Sequence, residues 1–227
     1  MWRGLISVVF VLPTPFASAA PWLQDKQQFY TRIEMANEVV NGLRGTRADL
    51  YLEYGAAQDW TVSLKASNVF YDGAEDFNTS GWRATVRRRL FASGPFVASA
   101  EAGLVQGAAI GGRSGCAPLG FEARAGLGWS GTWKTREIYA FSEVASRTYD
   151  NCRRERLALG FGQQTAKRVW SITQVWLEQG DTIAHSYKLQ SELLWRTKIA
   201  DVSIGYREEF GGAFEEESVF IAIADSF

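Results

Sequence analysis

His185 is the only histidine of the chain, so any histidine-based catalysis would have to use it. A lipid-cleaving site at a membrane surface would need a serine beside it on the same face of the backbone. Ser186 falls on the opposite parity, Tyr187 stands where that serine would be needed, and Ser191 is several residues away. His185 therefore reads as a residue at the level of lipid headgroups. No catalytic residue is assigned, and the chain is not expected to be an enzyme. Cys116 and Cys152 are the only cysteines. Two thiols do not make a zinc site, but they can form one bridge in an oxidising compartment. Asp72, Glu75 and Asp76 make an acidic stretch where a divalent cation could sit, but a solvated loop is the preferred reading. No metal or other cofactor is expected.

The remaining chemistry is ionic. Arg83, Arg87 and Arg89 share one parity along a single segment, and Glu101, Glu122 and Arg124 follow on the next two. Arginines aligned on one face form a cationic track for a small anionic solute, since charged tracks set pore selectivity. Glu101 would offset part of that track. The competing arrangement is mutual pairing across neighbouring strands, which would close the interior instead.

Those parities only have meaning if the backbone is extended, and it is. Leu50-x-Leu52-x-Tyr54, a turn at 55–59, and Trp60-x-Val62-x-Leu64-x-Ala66 place apolar residues on one face and Tyr51, Glu53, Thr61, Ser63 and Lys65 on the other. Period-two alternation over both arms is a β-hairpin signature. The unit returns at 82–91, 96–104, 121–129, 156–162, 186–195 and 202–207. At 137–147, Tyr139 and Phe141 share a parity with Glu143 and Arg147, and at 169–178 both parities carry apolar residues, so the facing of these two strands stays open.

Counting arms gives about twelve: 28–37, 46–54, 60–70, 81–91, 95–106, 120–129, 135–148, 154–162, 168–178, 183–195, 200–210 and 218–227. Each approximates the ~9–11 residues that a tilted membrane strand needs. The linkers near 55–59, 91–95, 130–134, 163–167 and 196–199 are short. Those at 38–45, 71–80, 107–119 and 211–217 are expected to be longer. Short turns at one rim and longer loops at the other predict an all-β transmembrane antiparallel up-and-down β-barrel. An even strand number puts both termini on the short-turn side. Tyr54, Trp60, Trp82, Trp129, Trp195 and Tyr206 would form its aromatic girdles. Cys116 and Cys152 fall on the long-loop side, so the disulfide expected between them would staple those loops; thiol alkylation of the native protein checks it.

The compartment follows from the start of the sequence. Arg3, an apolar run at 4–12 and Ala17-Ser18-Ala19 fit a signal peptide spanning 1–19, leaving 20–227 as a single domain. The apolar run is too short to cross a bilayer as a helix. With 24 basic and 25 acidic residues the chain offers nucleic acid no electrostatic footprint.

The sequence ends on Phe227, preceded at alternate positions by Asp225, Ile223, Ile221 and Val219. A terminal phenylalanine on an alternating strand resembles the signal that bacterial outer-membrane β-barrel proteins present to the barrel-assembly machinery, with Asp225 a departure from the usual apolar residue. In size and strand number the chain is similar to the small twelve-stranded outer-membrane channels, such as the oligogalacturonate- and sialic-acid-specific porins. That resemblance implies an outer-membrane location, lipids and the assembly machinery as partners, and a small solute in a charged lumen. A non-transport barrel closed by ion pairs is the alternative, and a lipid-modifying enzyme the remote one. No family substrate motif is present to name the solute.

Overall fold

The computed structural model describes residues 21–107, 118–150, 152–181, 185–212 and 215–227. The expected signal peptide and Cys116 lie outside them. Twelve strands follow in order: β1 Phe29–Val40, β2 Leu43–Ala57, β3 Trp60–Tyr71, β4 Thr79–Ser93, β5 Phe96–Gly107, β6 Leu119–Trp133, β7 Arg136–Tyr149, β8 Cys152–Ala166, β9 Val169–Gly180, β10 Ser186–Arg196, β11 Asp201–Phe210 and β12 Glu216–Ser226. Each pairs antiparallel with its sequence neighbours, and β1 pairs with β12, giving a closed up-and-down barrel. Closure removes both sheet edges, which hydrocarbon could not hydrate.

The seam is completed by the last residue. Phe29 N–H donates to Phe227 O at 2.7 Å, and Phe227 N–H returns a bond to Phe29 O at 3.0 Å. The two rings stack outside the barrel with centroids 5.7 Å apart, and Tyr54 lies 4.5 Å from Phe29 on the other side. This aromatic group marks the rim that carries both termini. Two-residue turns at 58–59, 94–95, 134–135 and 167–168 and the connection 197–200 close the same rim. Three bulges, at Gly55/Ala57, Arg89/Phe91 and Gln164/Ala166, also gather there, as bulges do at barrel rims.

At the opposite rim Asp72–Asn78 join β3 to β4, and the ends of β5 and β6, β9 and β10, and β11 and β12 are each separated by five or more residues of sequence. One expected loop is corrected. Between β1 and β2 there is only Asn41-Gly42, with φ of 48° and 85°. Both central residues are left-handed, the geometry of a type I′ hairpin turn, which Asn-Gly adopts readily. The dipeptide carried that signal in the sequence.

Alternation sorts the side chains as the period-two reading requires. On β12, Val219, Ile221 and Ile223 face outward and are exposed, while Ser218, Phe220, Ala222 and Ala224 face the lumen and are buried. The outward belt of Ile, Leu, Val and Phe is what a bilayer solvates. Trp60, Trp133 and Trp195 ring the short-turn rim, and Phe121, Tyr187, Tyr206 and Phe210 the upper half of the belt. Arg88 also points outward and lays its guanidinium 5.1 Å over the Trp60 ring.

The two strands of open phase are settled by burial. On β7, Tyr139 and Phe141 point inward with Glu143 and Arg147; on β9, Trp170, Ile172 and Gln174 do so. Tyr139, Phe141, Trp170, Ile172 and Leu194 form an apolar cluster inside the barrel, with Trp22 packed against it. A lumen of purely polar parity is therefore incomplete as a description. Apolar side chains are stable inside wherever another apolar group covers them, and here Trp22 supplies part of that cover.

Removing Phe227 deletes a seam pair, a stacked ring and the residue expected to be read during assembly. The truncated protein should accumulate in the outer membrane at far lower levels than the full chain, measured by heat-modifiable gel mobility of membrane fractions. Unchanged levels would contradict this role.

Candidate functional site

The interior is built by cross-strand register. Register sets Arg87 opposite Glu101, Glu101 opposite Arg124, and Glu122 opposite Arg147. Further round the barrel, Arg156 stands opposite Glu178 and Lys188 opposite Glu209. Opposite charges directly across a pair attract, and burial raises the stakes, because an unpaired charge away from water costs several kcal/mol.

On the β4–β8 wall, Arg87 donates from Nε to Glu101 at 2.7 Å and from Nη1 to Glu53 at 2.9 Å. Thr85 donates to the second Glu101 oxygen at 2.5 Å. Glu122 is fully buried and forms the hub of the wall. It accepts from both Arg124 and Arg147, and Arg83 approaches to 3.6 Å. Arg124 also reaches Glu143 at 3.1 Å, and Arg156 reaches the same oxygen at 3.3 Å. Three guanidinium nitrogens of this wall, Arg83 Nε, Arg124 Nη2 and Arg156 Nε, are buried without a hydrogen-bond partner.

The facing wall is linked through Glu34, which pairs with Arg32 at 3.0 Å and with Arg207. Arg32 continues to Glu192 at 2.9 Å, and both Arg32 and Arg207 lie over the Phe220 ring. Lys65 pairs with Asp49 at 3.0 Å. Arg32, Glu34, Asp49, Tyr51 and Lys65 line a small cavity. Below it, towards the short-turn rim, Tyr51 donates to Glu53 at 2.5 Å and so joins the two walls.

No protein-family model matches the chain, and no curated protein sequence matches it. Solved structures do. The NanC porin superposes with a TM-score of 0.61 at 10% identity, covering 84% of this chain and 98% of NanC. The KdgM porin in complex with oligogalacturonate gives 0.56 at 9% identity, covering 85% of this chain and 98% of KdgM. An outer-membrane channel from Pseudomonas putida F1 gives 0.57 at 9%, covering 94% and 100%. The fold is that of the outer-membrane porins. The β domain of the Bordetella autotransporter BrkA superposes as well, at 0.50 and 14% identity with 88% and 99% covered, so the likeness defines architecture and not a task.

Within this porin-like barrel the expected lumen residues are dispersed. Arg83 and Arg87 point inward, Arg83 towards the shared Glu122 and Arg87 between Glu53 and Glu101, so carboxylates interrupt the ladder. Arg89 sits at the short-turn rim, partly exposed, 3.6 Å from Asp59 of the turn. Glu101, Glu122 and Arg124 are inside and mutually connected, as their shared parity implies. Pairings near the long-loop rim went unread. Arg47 meets Glu38 at 2.7 Å, Arg154 meets Glu178 at 2.9 Å, and Lys188 meets Glu216 at 3.3 Å. Arg47, Glu38 and Glu216 stand where the sequence suggested loop or strand end, and Glu178 closes a strand whose phase was open.

His185 is exposed just before β10 on the long-loop rim, with outward-facing Tyr187 two residues on. Asp72, Glu75 and Asp76 flank an exposed single turn at Glu75–Phe77, and the described residues contain no group of three or more ligands able to hold a metal. Cys152 opens β8 directly after a two-residue connection.

Replacing Glu122 by alanine withdraws the carboxylate shared by Arg124 and Arg147. Breaking a buried pair from one side costs about 3–5 kcal/mol. Reversible urea unfolding in lipid vesicles should show a loss of that order, and a loss near the ~0–1 kcal/mol of a surface pair would contradict the hub.

Proposed function

We propose that this barrel binds and passes a small anionic solute through a narrow charged lumen in a bacterial outer membrane. The observation that supports it is the set of partnerless guanidinium nitrogens on Arg83, Arg124 and Arg156. Around them Arg83, Arg87, Arg124, Arg147 and Arg156 meet Glu53, Glu101, Glu122 and Glu143, one carboxylate fewer. A carboxylate or phosphate arriving there would take up hydrogen bonds that the wall leaves open, and guanidinium groups suit such oxyanions. The oligogalacturonate complex of KdgM supports a cargo of this charge. A barrel needing only stability would gain as much from apolar filling, since buried ion pairs are weak stabilisers.

The second reading, a non-transport barrel, draws on the extent of the pairing. Most interior charges have met their partner within the wall. Catalysis is not part of either reading.

In planar bilayers under a potassium chloride gradient, small discrete conductance steps with a reversal potential on the anion side are expected. Arg83→Gln should shift that potential towards zero while leaving Glu122 its contacts with Arg124 and Arg147. A cation-selective current, or an unchanged reversal potential in the variant, would contradict the anionic reading.

A further inference from the structure

The strands account for the wall, but Pro21–Gln28 belongs to none of them: Pro21–Gln24 lies inside the barrel at the short-turn rim, and the exposed Asp25–Gln28 leads out to β1. Pro21 and Gln24 are almost fully buried. Gln24 N–H donates to Thr61 Oγ1 at 3.0 Å, and its side-chain amide donates to Glu53 at 2.6 Å. Arg87 donates to the Trp22 carbonyl at 2.8 Å. The Trp22 ring stands edge-on to Tyr139 and Phe141, at 5.6 and 6.4 Å between centroids. Gln27, at φ 68°, turns the chain back towards β1, and its N–H donates to Gly55 O at 2.7 Å.

The wall is shaped to receive this segment. A Cβ on Gly55 would sit 1.9 Å from Asp25 O, and one on Gly128 would sit 2.7 Å from Pro21 and 2.8 Å from the Trp22 ring. Lumen positions that a simply filled barrel would occupy with side chains are left bare beneath the segment.

The barrel does not depend on it. Closure runs from Phe29 to Phe227, and of the segment only Gln27 and Gln28 exchange backbone bonds with Gly55 of β2, so the ladder is complete without residues 21–26. Gln24 Oε1 is buried with no hydrogen-bond partner, an acceptor left unmet in the seated state. On the expected cleavage after Ala19, the segment would be a short tether held covalently at one end only. Two of its polar contacts fall on Glu53 and Arg87, and Glu53 also accepts from Tyr51, which lines the cavity above.

We propose that Pro21–Lys26 is a releasable plug, hinged at Gln27–Gln28, that closes the short-turn end of the lumen and shares the Glu53–Arg87 pair with whatever occupies the cavity above. The proposal rests on the channel reading and adds its gate. A solute that draws Arg87 or Tyr51 away from Glu53 weakens the seat, and departure of the plug uncovers Tyr139 and Phe141 as an apolar shelf. The seated plug leaves one buried acceptor unmet, and with Gln27 and Gln28 kept on Gly55 its departure breaks nothing in the ladder.

The test is a disulfide trap. Gln24→Cys with Thr61→Cys, in a Cys116→Ser/Cys152→Ser background, should cross-link in the folded barrel under oxidation. Planar-bilayer conductance should then rise several-fold on reduction, and Trp22→Ala should conduct more than the parent without any trap. Failure of the pair to cross-link in a folded barrel overturns the seated segment, whatever the barrel conducts. Cross-linking with equal currents in oxidised, reduced and Trp22→Ala proteins overturns the plug but leaves the channel standing. Cross-linking with silence in all of them, and in a protein lacking 21–26, overturns the channel reading and its gate together.

Discussion

A strand that crosses hydrocarbon has no water for its backbone, so the pairing of β1 with β12 is the contact on which the rest depends. Once that seam exists there are only two environments, and each residue is assigned to one by parity. Ile221 and Ile223 are stable on the outside because lipid solvates them. Arg32, Glu34 and Glu122 are tolerable on the inside only because neighbouring strands deliver the opposite charge. The register that closes the ladder is thus the same register that pairs the ions. A slip of one residue at any seam would send a row of arginines into lipid and a row of leucines into the lumen.

The interior is not uniformly ionic, and its division has consequences. Apolar Tyr139, Phe141, Trp170, Ile172 and Leu194 occupy one side of the short-turn half, where Trp22 covers them. The β4–β8 charges gather around Glu122, and the β1–β3 side keeps a small cavity lined in part by the Asp49–Lys65 pair. Glu53 and Arg87 stand between these regions and touch the segment that enters from the rim. Wall, cavity and N-terminal segment are therefore coupled through a few hydrogen bonds and not through the backbone ladder.

Much of this was legible in the sequence. Alternation over β2, β3, β5 and β12 fixes both strand and facing, because the lipid face accepts little besides apolar residues. The strands of ambiguous phase, β7 and β9, failed for a physical reason. Their inward aromatics imitate outward ones, and only the covering Trp22 explains them. The tight Asn41-Gly42 turn was a local signal passed over in favour of loop-length alternation. The role of Glu122 as a shared partner was not readable, because it depends on three strands meeting. Nor was the lumenal course of 21–24, since such a segment has no period and its seat is made of absent side chains.

The partition of side chains between lipid, lumen and the inserted segment can be read in one sample. The protein labelled with 5-fluorotryptophan, placed in lipid nanodiscs and examined by fluorine NMR, reports each ring as nitroxide-bearing lipid is added. The Trp60, Trp82 and Trp195 signals should broaden, while those of Trp22 and Trp170 should stay sharp, each assigned by its Trp→Phe variant. Broadening of Trp22 to the same degree as Trp195 would place that ring outside the barrel and contradict the account.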